Sequence, residues 1–384
     1  MTDLFDRHEP LLRRAVTALS TREFWTPFPE IPSDKIYGET AKADGMAAFK
    51  ALRDTAFDLP GPPDEVRVGA EVSPWGAAQG GGALGITYPT AAPERLIDAA
   101  QAAAPAWAEA SVEARTGVLL EALVRLNAQS FVLGHATMHT TGQAFPMAFQ
   151  AGGPHAQDRG LEAVAVAYDE LTRTARDAVW EKPQGRNAPI VLDKHWTLVP
   201  RGIALTIGCN TFPGWNGYPG LFASLATGNP VIVKPHPGAI LPLALAVRTL
   251  RAVLAEAGLP QDAVLLAADA PGAEVTKALA TRPEVALIDY TGSTGFADWL
   301  RANSHAQLFS EEAGVNSVTI TGTGDFAGMC ANLAFSLSLY SGQMCTSPQN
   351  IYVPRAGIMT DEGHKSLDAV ALGIAPPPPR PVRN

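Results

Sequence analysis

Residues 338–350 read SLYSGQMCTSPQN and place Cys345 behind Gly342, Gln343 and Met344. A thiol in that setting is a small buried hydrophobe, half of a disulfide, or a nucleophile. Cys209 and Cys330 are its only companions. Three cysteines without a C-x-x-C pair argue against a disulfide framework and against a structural zinc site. Four further segments carry groups that chemistry uses. GCNTFPGWNG holds Asn210, VIVKPHP holds Lys234, IDYTGSTG holds Gly292 and Ser293, and FSEEAGVNS holds Glu311. Each also has an ordinary reading: a Lys-Pro opens a loop, a Glu pair is a solvated face, and a single cysteine is core.

The intervening sequence indicates what positions these groups. From Ile203 onward short apolar runs alternate with amphipathic stretches. IALTIG, PVIVK, AVLLAA, VALIDY and SVTIT read as strands, and GLFASLATG, LPLALAVRTLRAVLAEAG, AEVTKALATR and TGFADWLRAN as helices. This alternation predicts a parallel sheet covered on both faces. Ligands on such sheets bind at the carboxyl ends of strands, where the Asn210, Lys234 and Gly292–Ser293 loops fall. Upstream, APIVLDKHWTLVPRG alternates apolar and polar residues and predicts an antiparallel ribbon near 189–200. Residues from Pro93 to about Thr172 have helical periodicity, with Ser111 as a cap and Glu113 in the first turn of one helix. Residues 1–85 read as an extension of short helices and loops.

Two motifs are set aside. Gly80, Gly82 and Gly85 match G-x-G-x-x-G, but no clear strand precedes them and ITYP follows in place of a helix. His135 and His139 stand one helical turn apart, but Ala136 replaces the glutamate that a zinc peptidase needs, which leaves helix packing.

The composition bounds the remaining classes. The chain has 384 residues, 46% hydrophobic and 17% charged, with a net charge of −9. That describes a globular protein of one large or two smaller domains. No long basic run invites nucleic acid. No leader-like apolar core opens the chain, and no stretch of about 18 apolar residues suggests a membrane span. A reducing cytoplasm is the expected location, and there a lone thiol stays free.

In order and spacing, the five segments resemble the aldehyde dehydrogenase superfamily. Gly342, Gln343 and Cys345 match its Gly-Gln-x-Cys stretch. Glu311, Glu312, Ala313 and Gly314 take the place of its Glu-x-Gly-Gly segment. ATGNPVIVKP and YTGST match two more of its motifs, and the likeness runs from about Leu96 to about Val353. Within the superfamily, IGCNTFPGWNGYPGLFASLATGNPVIVKPHP and EEAGVNSV look most like the phenylacetate-degradation branch. The resemblance implies a Rossmann-like, doubly wound α/β fold. A cofactor domain would cover 86–310, and an incomplete catalytic domain 311–375.

The resemblance also implies roles. Cys345 would attack the aldehyde carbonyl, Asn210 and the Cys345 backbone N–H would hold the oxyanion, and Glu311 would activate water to release the acid. Asn216 is a second candidate for the oxyanion donor, because Thr211 adds a residue before Phe212-Pro213. Lys234 and His236 would face the adenosine ribose and Gly292 with Ser293 the pyrophosphate, with Phe212 and Gly272 as further cofactor contacts. The cofactor would be NADP or NAD. Pro237 replaces the acid or serine usual three positions after the lysine, and this points toward NADP. Ala297 stands where a glycine is common. The substrate would be a semialdehyde of aromatic catabolism, such as a CoA-linked product of ring opening.

The family continues well beyond the end of this chain, and PPPPRPVRN at 376–384 reads as a disordered, unrelated tail. The expectation is therefore a C-terminally truncated enzyme. It would lack the strand that pairs subunits in the family's homo-oligomers, and VTIT and NIYV would lack neighbours. A dinucleotide-binding remnant without turnover is the alternative. A CoA-acylating enzyme is a third reading, against which Glu311 speaks.

Overall fold

A computed structural model of the chain describes residues 2–60, 66–75 and 81–375. The proline-rich tail and Gly80 lie outside the described residues. The chain divides into two compact units, Met1–Glu311 and Glu312–Asn384.

The first unit opens with helices α1 (Thr2–Thr21), α2 (Asp34–Tyr37) and α3 (Ala41–Leu52). Short strand pairs follow, β1 (Arg67–Val68) with β4 (Tyr88–Pro89) and β2 (Val72–Ser73) with β3 (Gly82–Ala83). Gly82 thus belongs to a small ladder and not to a nucleotide loop. Helices α4 (Pro93–Glu109), α5 (Val112–Ala128), α6 (Ser130–Thr141), α7 (Phe145–Gly152) and α8 (Pro154–Thr172) come next. Strands β5 (Asp177–Gln184) and β6 (Asn187–His195) form a hairpin. Then β7 (Ile203–Ile207), α9 (Pro213–Ala226), β8 (Val231–Lys234), α10 (Leu241–Glu256), β9 (Val264–Leu266), α11 (Val275–Ala280), β10 (Val285–Gly292), α12 (Thr294–Asn303) and β11 (Gln307–Glu312) alternate. The sheet order is β11-β10-β7-β8-β9, with β10, β7, β8 and β9 parallel.

Alternation along the strands explains why both faces of this sheet are covered. Ala204, Val231, Val233, Val264 and Leu266 join one core with α5, α8, α9 and α10. Ile203, Leu205, Ile207, Ile232 and Leu265 join a second core with α4, α11 and α12. Successive side chains point to opposite faces, so continuous apolar runs are what a doubly covered strand requires. Ser111 accepts a hydrogen bond from the Ala114 N–H and caps α5, as its sequence predicts. His135 and His139 are buried in α6, where His139 stacks on Phe49 at 4.7 Å and His135 meets Phe145 at 4.5 Å. Burial, followed by the nearby His139, pushes His135 down to about 4. These rings pack as neutral apolar surfaces.

The structure corrects four details. The ribbon expected over 189–200 is a hairpin that begins at Asp177. Its first strand, DAVWEKPQ, contains a proline and charges that masked the alternation. The N-terminal region is not a set of short pieces, since α1 has 20 residues and packs on α5 and α8. Residues on both sides of position 85 therefore share a core. The fifth strand of the sheet is Gln307–Glu312, which places Glu311 on an edge strand absent from the strands read in the sequence. SVTIT does not extend that sheet: β12 (Asn316–Thr319) pairs in parallel with β13 (Pro348–Tyr352). The strands ending in VTIT and NIYV thus have each other as neighbours.

The second unit also contains α13 (Phe326–Ser338), a β14 (Ile358–Thr360) and β15 (Gly363–Lys365) hairpin, and α14 (Leu367–Ile374). Its core is small: Ile320, Phe326, Cys330, Ile358, Val370 and Ile374. Asp325 and Ser366 cap its two helices.

Candidate active site

Parallel pairing brings the carboxyl ends of β7, β8, β9 and β10 to one edge. After β7 comes Asn210, whose buried Oδ1 has no hydrogen-bond partner. Its neighbour Cys209 is half-buried, and its Sγ accepts the Phe212 N–H at 3.3 Å and lies 3.6 Å from Asn216 Nδ2. The Asn216 amide is therefore turned to the sulfur. The Phe212 ring is buried and meets Trp215 edge-on at 5.7 Å. Upstream of the sheet edge, Asn229 Oδ1 accepts the Arg201 and Gly202 N–H groups and ties the entry to β7 to the entry to β8.

Lys234 ends β8 and is 2% exposed. Its Nζ donates to the Pro235 carbonyl at 2.7 Å and lies 2.6 Å from Asp269 Oδ1. Burial lowers the lysine pKa, and the neighbouring Asp269 opposes that shift. His236 is exposed and its Nδ1 accepts the Gly238 N–H at 3.0 Å. A Cβ on Gly238 would lie 3.3 Å from both Asn210 Oδ1 and His236 Nδ1, so these two residues flank it. Gly272 lies in the turn between β9 and α11.

At the end of β10, Ser293 caps α12 by accepting the Phe296 N–H. Tyr290 donates to the Ser293 carbonyl at 3.0 Å. A Cβ at Gly292 would come 2.2 Å from the Tyr290 Oη, so the close approach requires glycine there.

A pocket of about 780 Å³ lies on one face of the sheet, between β7, β10, β11 and helices α8 and α9. Glu311 lines it together with Thr206, Asp289, Phe309, Arg159 and Asn216. Arg159 Nη2 is 3.9 Å from Glu311 Oε1. Asp289 lies against the bare backbone of α9: a Cβ at Gly220 would meet its Cγ at 2.4 Å. Burial, followed by the charge of Glu311, raises Asp289 to about 7, and Arg159 opposes the shift. The pocket therefore holds one carboxyl group that is partly protonated at neutral pH.

In the second unit, Cys345 is exposed and free, while Cys330 is buried and Cys209 intermediate. Asn316 Nδ2 donates to the Cys345 carbonyl at 2.7 Å and to the Ser347 carbonyl at 3.3 Å. The AGVN segment thus fixes the turn that carries the thiol. Just before it, Tyr340 and Ser341 hold φ of 49° and 61°, a left-handed conformation uncommon for non-glycine residues.

The candidate site residues read from the sequence do not include Asp269, Asp289 or Arg159. Asp269 had a signal, an acid directly after an apolar strand. Asp289 stood as the lone acid inside VALIDY. Arg159 had none, since only the packing of α8 turns it to the pocket. Among the described residues no cluster of His, Cys, Asp and Glu could hold a metal ion.

Residues 88–371 match the aldehyde dehydrogenase family, and the chain belongs to that family. The crystal structure of an NAD-dependent aldehyde dehydrogenase from Burkholderia multivorans shares the fold with a TM-score of 0.93 at 56% identity. That match covers 97% of this chain and 66% of the Burkholderia chain. N-succinylglutamate 5-semialdehyde dehydrogenase of Caulobacter sp. (strain K31) is 28% identical over 294 residues, 74% of this chain and 55% of the relative. A Delta-pyrroline-5-carboxylate dehydrogenase from Mycobacterium tuberculosis, bound with NAD, shares the fold with a TM-score of 0.63 at 21% identity over 84% of this chain and 59% of that one. The chain spans about half the length of the curated relatives it matches. Among the described residues no helix is long and apolar enough to cross a membrane.

Proposed function

We propose that this chain carries the thiol and the cofactor edge of an NAD(P)-dependent, cytoplasmic aldehyde dehydrogenase. The observation that carries the reading is the free, exposed Cys345, set in Gly342-Gln343-x-Cys and held through its carbonyl by Asn316. The carboxyl edge of the sheet fits a dinucleotide. The N-terminus of α12 beside Ser293 suits a pyrophosphate, with Gly292 next to it at the end of β10. Lys234, His236, Phe212 and Gly272 complete the proposed contacts. A bound nicotinamide ring supplies the hydride acceptor.

The chain's own residues do the rest. As thiolate, Cys345 adds to the aldehyde carbon and turns the carbonyl oxygen into an oxyanion. Asn210 and the Cys345 N–H donate to that oxygen. Oxidation leaves an acyl thioester on Cys345. Glu311 takes a proton from water, the hydroxide adds to the acyl carbon, and the carbon–sulfur bond breaks to return the thiolate and release the acid. The proposed substrate is a semialdehyde of phenylacetate or other aromatic catabolism, supported by the branch-like IGCNTFPGWNGYPG and EEAGVNSV segments.

Purified chain incubated with iodoacetamide should label Cys345 ahead of Cys209 and Cys330. With an aromatic-pathway semialdehyde and NAD⁺ or NADP⁺ it should form reduced nucleotide. Equal labelling of the three thiols together with no aldehyde oxidation would overturn the reading. Nucleotide binding without turnover would instead identify a binding remnant.

A further inference from the structure

A second pocket, of about 410 Å³, opens between α3 and the last turn of α6, and none of its lining residues comes from the five-stranded sheet. Met46, Phe49, Trp75 and Met138 make its apolar wall. Lys50 and Arg53 are its charged groups, and no acid is among its described lining residues. Arg53 Nη2 donates to the Ala83 carbonyl at 3.2 Å, which anchors the guanidinium, while Arg53 Nε is buried without a partner. His139 also lines the pocket; it is 8% exposed, stacks on Phe49, and its Nδ1 has no partner. Burial, followed by the charge of Arg53, lowers the His139 pKa, so the ring is neutral at neutral pH. The Trp75 indole N–H is already given to the Met138 carbonyl at 3.2 Å. Helix packing accounts for the stacked ring. It leaves two buried nitrogens unpaired, where such groups are ordinarily hydrogen-bonded.

What this lining lacks is an acceptor. Lys50 and Arg53 only donate, and a neutral histidine donates from one ring nitrogen. A matching ligand has a negatively charged head that only accepts and an apolar body to lie against Phe49 and Trp75. A carboxylate suits the planar donor fork of arginine. The two methionines adapt to the shape of the body, and the volume is that of a small-molecule site. We propose that this pocket binds a small aryl or alkyl carboxylate, with Arg53 and Lys50 on the carboxylate and the Met46, Phe49, Trp75 and Met138 wall on its body. A compact anion such as phosphate has the charge but makes no use of the wall. A neutral aromatic fills the wall but leaves the donors unpaired. The site is separate from the proposed cofactor edge and does not depend on the role of Cys345.

Calorimetric titration of the full chain with benzoate and with hexanoate tests this, with benzamide and inorganic phosphate as the neutral and compact-anion controls. At least one carboxylate should bind with a Kd of about 1 mM or tighter, and about ten-fold or more ahead of both controls. Lys50→Glu inverts the charge at an exposed helix position and should weaken that binding by about ten-fold or more. Arg53→Lys keeps the charge, loses the fork, and should weaken it by about three-fold to ten-fold. Melting curves check that both variants fold. Binding of neither carboxylate overturns the proposal, and so does benzamide or phosphate binding as tightly as the carboxylate. Unchanged affinity in the two folded variants places the ligand elsewhere and overturns it as well.

Discussion

The two units are built to different standards of burial. In Met1–Glu311 every residue of β7, β8 and β9 is buried, and most of α10 with them. In the second unit β12 and β13 alternate between half-buried and exposed, and α13 buries only Phe326 and Cys330. Phe335 and Leu372 stay 57% and 77% exposed. The proposed cofactor edge is therefore set by a close-packed core, where a misplaced methylene is felt. The thiol is set by local devices: a capped helix, two left-handed residues and two hydrogen bonds from one asparagine. Precision in the first unit comes from packing, and in the second from hydrogen bonds and backbone conformation.

Four measurements break or sharpen this contrast. The largest effect belongs to the exposed thiol. Cys345→Ala should lower aldehyde oxidation by on the order of 10⁴-fold or more while leaving the melting curve unchanged. A variant that keeps most of its turnover would remove the nucleophile from the scheme. Next comes the core. Phe222 is fully buried, and Phe222→Ala should cost about 3–5 kcal/mol in denaturant unfolding, whereas Phe335→Ala should stay within about 0.5 kcal/mol. Similar losses at both sites would erase the difference between the units.

Asn210→Ala should lower kcat by about 10²–10³-fold, the usual cost of one oxyanion donor, with little change in nucleotide Kd. An equal loss from Asn216→Ala would show that the two amides share the role. The smallest effect is a slope. Asp289 is raised to about 7 from 3.8, so between those values the folded chain holds a proton that the unfolded chain has released. Its contribution to stability is complete below the unfolded value and is lost as pH rises through about 7. Melting temperatures of Asp289→Asn should therefore fall less than those of the wild type between pH 4 and 7.5. Parallel profiles would mean that this carboxyl titrates normally.

Much of this could be read in advance because the relevant signals are local. IALTI, VIVK and VALIDY carry their strand character in their own composition, and Ser111 stands where a helix cap belongs. QLFSEE was passed over because an edge strand needs neither a long apolar run nor clean alternation. DAVWEKPQ was missed because its pairing partner, and not its own pattern, makes it a strand.

The sequence by itself determined the family, the doubly covered parallel sheet and the identity of the one thiol in a Gly-Gln-x-Cys setting, since each is a matter of residue types at fixed spacing. Only the tertiary structure decided that Asp269 meets Lys234, that Asp289 and Arg159 share a pocket with Glu311, and that Asn216 turns to Cys209. These are contacts between side chains from different strands and helices. Strand order and helix packing bring them together, and nothing in the local sequence records either.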